Sequence, residues 1–423
     1  MIDTPRGVKA LLYQEASLKQ RIEKEILTLF DMWGFQRVET PAIEFLSELS
    51  KGLDDEGLKR VITFTDPAGG GKPLALRSDV TPQIARIAAT ALAERPAPIR
   101  LSYAQTVYRS IRPGAGHRME VYQAGVELIG LGSPEADAEM IAIAMESLER
   151  LGFTGVKMAI SHMGYIMGVL DAAGLEKKDR VAIKKALMRK DTKEIDRVLD
   201  AAGVPERERE AVIKLPNLFG NREIIDKADA VNEQAKASLE NLRDVLAVLE
   251  KYGRAGEVTI DLGETRGFGY YTGVTFEGFV KGAGKRVLSG GRYDKLLAEY
   301  GADRPATGFA IDVDRILDHL TRAGEPAAWS AAEVLVVGAN GNFMEAAGLA
   351  KKLRERGVRT ARDIIVRPIE ESVSYARRLK IGAVVITGLP ELSGDKAKLL
   401  RTATGEEKIL GIDDLLSEIT IAP

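Results

Sequence analysis

Three groups of polar residues in this chain have types and spacings that could do chemistry. The first is Leu76-Arg77-Ser78-Asp79-Val80-Thr81-Pro82, which follows the strand-like KPLAL. On an extended backbone, residues two apart share a side, so Asp79 and Thr81 would together accept hydrogen bonds from an ammonium group. The same residues also fit an ordinary helix cap leading into PQIARIAATAL. The second group lies in TVYRSIRPGAGHRMEVYQAGVELIG. Arg109 stands near a strand end, where a guanidinium can clamp a carboxylate or phosphate with two hydrogen bonds. Gln123 and Glu127 are four apart on one strand and so share a face, where an acid suits a cationic or hydrogen-bond-donating ligand. A salt-bridged hairpin explains the segment equally well. The third group is ETRGFGYYTGVTFEGF with SGGRYDKL after it. Glycines beside Arg266 permit close backbone approach, and alternation would put Tyr270 and Tyr271 on opposite faces of a strand, one of them as core packing. SGGRYD reads as a flexible turn into a helix start.

The elements that must hold these groups follow from periodicity. ASLKQRIEKEILTLF, from Ala16 to Phe30, repeats Leu18, Ile22, Ile26, Leu27 and Phe30 near helical spacing. QRVETPAIE then alternates like a strand, and Leu101 to Tyr108 and Glu120 to Ile129 read as two strands gripping a basic, glycine-containing loop. Pro134 to Leu151 is helical in pattern, VKMAISHMG a strand, and about 165–252 an almost wholly helical, charge-rich insertion. Strands return in EVTIDLG, YYTGVTFEGFV and KRVLSGGRY, before a glycine-led helix at ATGFAIDVDRILDHL. After the linker Gly324-Glu325-Pro326 a new rhythm of strands (AEVLVVGA, VRTARD, AVVITG, EKILGI) and helices predicts a separate small α/β domain. The expected division is 1–325 and 331–423.

With 60 basic and 62 acidic residues, the chain has no global positive excess with which to coat a polyanion. The lack of cysteine excludes disulfides and thiolate metal sites. The opening MIDTPRGVKALLYQEASLKQ has no apolar core of a secretory signal, and no stretch is long enough to span a bilayer, so a cytoplasmic protein with no membrane partner is expected.

Taken in order, these segments resemble the histidyl-tRNA synthetase family and its non-synthetase relative, the regulatory subunit of ATP phosphoribosyltransferase. GFQRVETPAIE resembles the dimer-forming first motif of class II synthetases, Val107 to Gly130 the second, and ATGFAIDVDRIL the third. RGFGYYTGVTFE and GGRYD resemble the two histidine-specific motifs. Five motifs in order are far more specific than any one of them. The resemblance implies an α+β fold: a class II synthetase-type antiparallel sheet with flanking helices and a helical insertion. The C-terminal α/β domain is similar to an anticodon-binding module.

Within that family the departures point one way. Adenylate formation gathers charge on the α-phosphate and needs cations around it. The chain keeps Arg109 and Arg112 but has His117 and Met119 where synthetases typically carry arginines. RGLDYY of synthetases is Arg266-Gly267-Phe268-Gly269-Tyr270-Tyr271 here, and Asp79 stands where they have glutamate. SHMGYIMGVLDAAGL, ALMRKDTKEIDRVLDAAGV and LPNLFG are similar in order and wording to the regulatory subunits. The resemblance therefore implies a non-catalytic subunit that joins a short-form ATP phosphoribosyltransferase, at the first step of histidine biosynthesis, as a homodimer within a hetero-oligomer. Histidine is the implied ligand, held by Asp79, Thr81, Arg109, Gln123, Glu127, Arg266, Tyr270 and Tyr271. Arg112 and Arg315 would be relics of an ATP site, and no cofactor or metal is implied. The alternative is an active histidyl-tRNA synthetase that uses ATP and Mg²⁺ to charge tRNA, with Arg109, Arg266 and Arg315 serving adenylation. ARDIIVRPIEESVSYARR, basic at several positions, reads as a solvated helix face or as a surface for RNA or protein.

Overall fold

Apolar residues at helical spacing build α1 (Tyr13–Met32), whose buried face is Leu18, Ile22, Ile26, Leu29 and Phe30. Leu29, seven residues after Ile22, takes the place expected for Leu27, because two full turns return to the same side of a helix. Each of these buried side chains contributes roughly 1.5–3 kcal/mol relative to exposure. The computed structural model describes residues 4–53, 55–67, 69–110, 118–265, 270–324, 331–392 and 395–421. Arg112, His117, Arg266 and Gly269 lie outside the described residues. The chain divides into two units, Met1–Glu325 and Pro326–Pro423. Among the described residues no helix is long and apolar enough to cross a membrane.

The first unit is organised on a nine-stranded sheet. Its strands are β1 (Gln36–Arg37), β2 (Ile99–Tyr108), β3 (Glu120–Ile129), β4 (Lys157–His162), β5 (Phe219–Gly220), β6 (Val258–Asp261), β7 (Val274–Phe279), β8 (Leu288–Arg292) and β9 (Ala306–Asp312). They lie side by side in the order β1-β2-β3-β9-β8-β7-β4-β6-β5. β1 with β2 and β4 with β6 are parallel, and the other pairs are antiparallel. The sheet is therefore mixed at its margins and antiparallel through its centre, where the candidate site lies. Residues 43–45, 62–65 and 73–76 form a smaller three-stranded sheet that delivers the chain to Asp79.

Four further helices matter for the site: α2 (Thr81–Ala89), α3 (Pro134–Arg150), α4 (Glu233–Lys251) and α5 (Val313–Arg322). The helical insertion runs from Met163 to α4, broken only by the short β5. One expectation is corrected: ATGFAID is strand β9, and the helix starts only at Val313. β9 is hydrogen-bonded on both edges, to β3 and β8, and six of its seven residues from Ala306 to Ile311 are apolar or small. A central strand buried on both faces reads as a continuous apolar run, which periodicity alone cannot tell from a buried helix.

β8 ends in an ion pair that locks sheet to helix. The Arg292 guanidinium, 6% exposed, donates from Nε to both oxygens of Asp137, 1% exposed, at 3.1 and 2.9 Å. Its Nη1 donates to the Leu131 carbonyl at 3.0 Å and to Asp294 at 3.2 Å. Asp137 belongs to the first turn of α3, so the arginine of GGRYD is structural rather than part of a ligand site.

The C-terminal unit has five strands, β10 (Val334–Gly338), β11 (Thr360–Arg362), β12 (Ala383–Thr387), β13 (Lys396–Arg401) and β14 (Glu407–Gly411), in the order β11-β10-β12-β13-β14. The first three are parallel and the last two antiparallel. Val336, Leu349, Leu353, Val385 and Leu399 belong to its core. β13 escapes a reading of periodicity because KAKLLR carries two exposed-type lysines, yet Ala397 and Leu399 alternate into the core.

Candidate amino-acid-binding site

A cavity of about 200 Å³ opens on the face of β3, β8 and β9. It is smaller than the roughly 300–1,000 Å³ of pockets for drug-sized ligands, and so suits something of amino-acid size. Asp79, Thr81, Arg109, Gln123, Glu127, Tyr270, Tyr271 and Arg315 all line it. Every described residue of the expected ligand set and the one described residue of the expected relic ATP site therefore meet in one place.

The acidic wall is built from two elements. Gln123 and Glu127 project from the same face of β3, as their spacing required. Asp79 and Thr81 are not extended: the chain turns into α2 there, and Asp79 Oδ1 accepts the Thr81 backbone N–H at 3.2 Å. The capping and ligand-facing readings are thus both realised. Thr81 Oγ1 donates to Glu127 Oε1 at 2.8 Å, tying the two elements together.

Glu127 is 1% exposed and also hydrogen-bonds the buried Tyr293 hydroxyl. Burial pushes its carboxyl up to about 8, against the lowering pull of the Tyr293 and Thr81 hydroxyls and with the charge of Asp79 adding to the rise. Asp79 makes no ion pair among the described residues. Gly308 of β9 faces Glu127 in register, and a Cβ there would sit 1.9 Å from Glu127 Oε2. Only glycine leaves the carboxyl its place.

Three arginines also line the cavity. Arg109 donates from Nε to the Ser78 carbonyl at 2.9 Å, and its guanidinium has no carboxylate within ion-pair distance among the described residues. Arg286 pairs with Glu277 at 2.6 Å, and Arg315 with Asp312 at 2.8 Å. Asp312 also accepts the Arg315 N–H, capping α5. Both of these arginines are neutralised locally, which leaves Arg109, among the described residues, as the cation on the cavity without a carboxylate partner.

Tyr270 and Tyr271 depart from expectation. They do not lie on opposite faces of a strand, since the regular ladder begins at Val274. Both line the cavity, with ring centroids 5.0 Å apart at 84°. Tyr293, Arg286, Asp312 and Gly308 are residues that sequence reasoning did not assign to the site. GGRYD was the available signal for Tyr293, and nothing local marks the others. Met119, which replaces a typical synthetase arginine, does not line the cavity.

A mixed sheet with an acidic wall, an arginine without a carboxylate partner among the described residues and a cap-forming helix start after the last central strand defines the class: a class II synthetase-type core with an amino-acid-sized site. The family model described as histidyl-tRNA synthetase matches residues 7–316. An ATP phosphoribosyltransferase regulatory subunit from Geobacter sulfurreducens is 40% identical over 98% of this chain and 95% of its own. Another from Syntrophotalea carbinolica is 40% identical over 98% and 96%. A solved structure titled as an ATP phosphoribosyltransferase regulatory subunit/histidyl-tRNA synthetase, from Bacillus halodurans, superposes with a TM-score of 0.78 at 30% identity, covering 88% of this chain and 96% of that one. The histidyl-tRNA synthetase of Nostoc shares the fold, with a TM-score of 0.81 at 23% identity over 99% of each chain. The chain belongs to the histidyl-tRNA synthetase-like family, in its branch of ATP phosphoribosyltransferase regulatory subunits. These curated relatives bear the name of regulatory subunits and not of synthetases, which supports the regulatory reading over the working synthetase.

Proposed function

We propose that this chain senses histidine in the cytoplasm on behalf of a short-form ATP phosphoribosyltransferase catalytic subunit, with which it assembles as a homodimer within a hetero-oligomer. The single observation carrying the proposal is a carboxylate, Asp79, and a guanidinium, Arg109, neither with an ion-pair partner among the described residues, lining one cavity of about 200 Å³. A free amino acid is a zwitterion, and such a pair fits its two ends. Asp79 and Thr81 take the ammonium group, Arg109 takes the carboxylate, and Gln123, Glu127, Tyr270 and Tyr271 surround the side chain. Glu127, with its carboxyl pushed up to about 8, keeps a proton near neutral pH and can donate a hydrogen bond to a neutral imidazole nitrogen. Arg266 belongs to the same proposed set through the resemblance. Arg112 and Arg315 are proposed as remnants of a nucleotide site.

Histidine changes the partner's rate only if it favours one conformation of the complex over another. The test mixes purified chain with the cognate catalytic subunit and assays phosphoribosyl transfer with and without histidine. Expected are a complex, activity that depends on this chain, and inhibition by histidine that Asp79→Asn relieves. The absence of both a complex and any change in rate overturns the reading, as does histidine-dependent ATP–pyrophosphate exchange by this chain alone.

A further inference from the structure

The segment ARDIIVRPIEESVSYARR is not absorbed by the amino-acid site. Its second half is the helix Ile369–Arg378, whose exposed Glu370, Glu371, Arg377 and Arg378 form the expected solvated face, but its first half is a loop. Ile364, Ile365 and Val366 are consecutive, aliphatic and 69%, 60% and 79% exposed. They follow β11 at the carboxyl ends of the parallel strands, where open α/β sheets present their binding loops. The loop after the neighbouring strand β10 brings Met344, 85% exposed, to the same end, and Arg362 Nη1 donates to the Phe343 carbonyl at 3.4 Å between the two.

The loop is held from beneath. Asp363, 5% exposed, accepts the Ile365 N–H at 3.1 Å and pairs with Arg367 at 2.8 Å, while the Arg367 guanidinium lies 4.5 Å from the Tyr375 ring centre. Three apolar side chains are thus displayed on a fixed backbone, which lowers the ordering cost of docking.

Charge selects the partner. The helix that follows the loop starts with exposed Glu370 and Glu371, and the first turn of the helix Phe343–Glu355 holds half-buried Glu345. Of the flanking arginines, Arg367 is neutralised by Asp363 and Arg362 is turned to the Phe343 carbonyl. Glu370 and Glu371 make no ion pairs among the described residues. An acidic rim repels a phosphate backbone, and aliphatic side chains offer bases no stacking platform. We propose that this loop is a protein-docking knob that inserts into an apolar pocket edged with basic side chains. Resting on the function proposed above, the protein bearing that pocket is the catalytic subunit.

The experiment compares the full-length chain with its I364S/V366S and I365D variants by calorimetric titration against the catalytic subunit. Histidine titration of each variant and its thermal melt serve as controls for an intact first unit and fold. Expected is association at least about tenfold weaker in both variants, with histidine affinity and melting unchanged. Unchanged association of the variants overturns the knob alone. Failure of the unmodified chain to associate overturns the proposed function and the knob with it. Binding of tRNA that the same variants abolish also overturns the knob, by making the loop an RNA contact.

Discussion

Two acid–base sets are built into the same sheet of the first unit, and they are treated in opposite ways. Arg292 and Asp137 are sealed together, and the arginine's remaining hydrogen bonds go to the Leu131 and Ser133 carbonyls and to Asp294. Asp79 and Arg109 line a cavity without a charged partner for either among the described residues. A buried charge must be paired to be tolerated, and breaking such a pair leaves the survivor uncompensated. Charges left open to a cavity instead await a partner from solution. The contrast separates scaffold from site more reliably than residue type, since both sets consist of one arginine and one aspartate.

Arg292→Ala offers the harshest test of that contrast. It should cost about 3–5 kcal/mol of stability by stranding Asp137, measured as a lowered midpoint in urea unfolding. A melt like that of the parent chain would remove Arg292–Asp137 from the scaffold side of the comparison. Asp79→Asn should do the reverse. Loss of hydrogen bonding to a charged group is worth about 1.5–3 kcal/mol, so histidine should bind roughly tenfold or more weakly in calorimetry while the urea midpoint stays put.

The smallest effect concerns pH. Folded, Glu127 keeps its proton up to about 8; unfolded, it releases it near 4.5. Between those limits the folded state binds more protons, so this group's contribution is fully present below 4.5 and is lost as pH rises to about 8. Glu127→Gln should therefore flatten part of the decline in stability between those values. Parallel stability–pH curves for parent and variant would mean that the carboxyl is already ionised.

Sequence reading reached the parts of the site that are local. Gln123 and Glu127 were legible because a strand repeats every two residues, and Asp79 with Thr81 because short polar pairs are conspicuous. Their conformation was not legible: a helix start and an extended segment place Asp and Thr alike on paper, and the decision falls to α2 packing. Whereas GGRYD at least pointed toward Tyr293, Arg286 and Gly308 were out of reach for a different reason. They share a cavity with Glu127 only because β9 inserts between β3 and β8, and its pairing with β3 joins segments more than 150 residues apart, which no periodicity encodes. The strand nature of ATGFAID was lost to the same cause, since burial on both faces erases alternation.

Gly308 carries a last consequence. The depth of the cavity at Glu127 is set by an atom that is absent, because one methyl group at position 308 would claim the space its carboxyl occupies. The ligand's identity is therefore written partly in the backbone of a neighbouring strand. A lineage that drifted to alanine there would keep every polar residue of the site and still lose the shape that lets them act together.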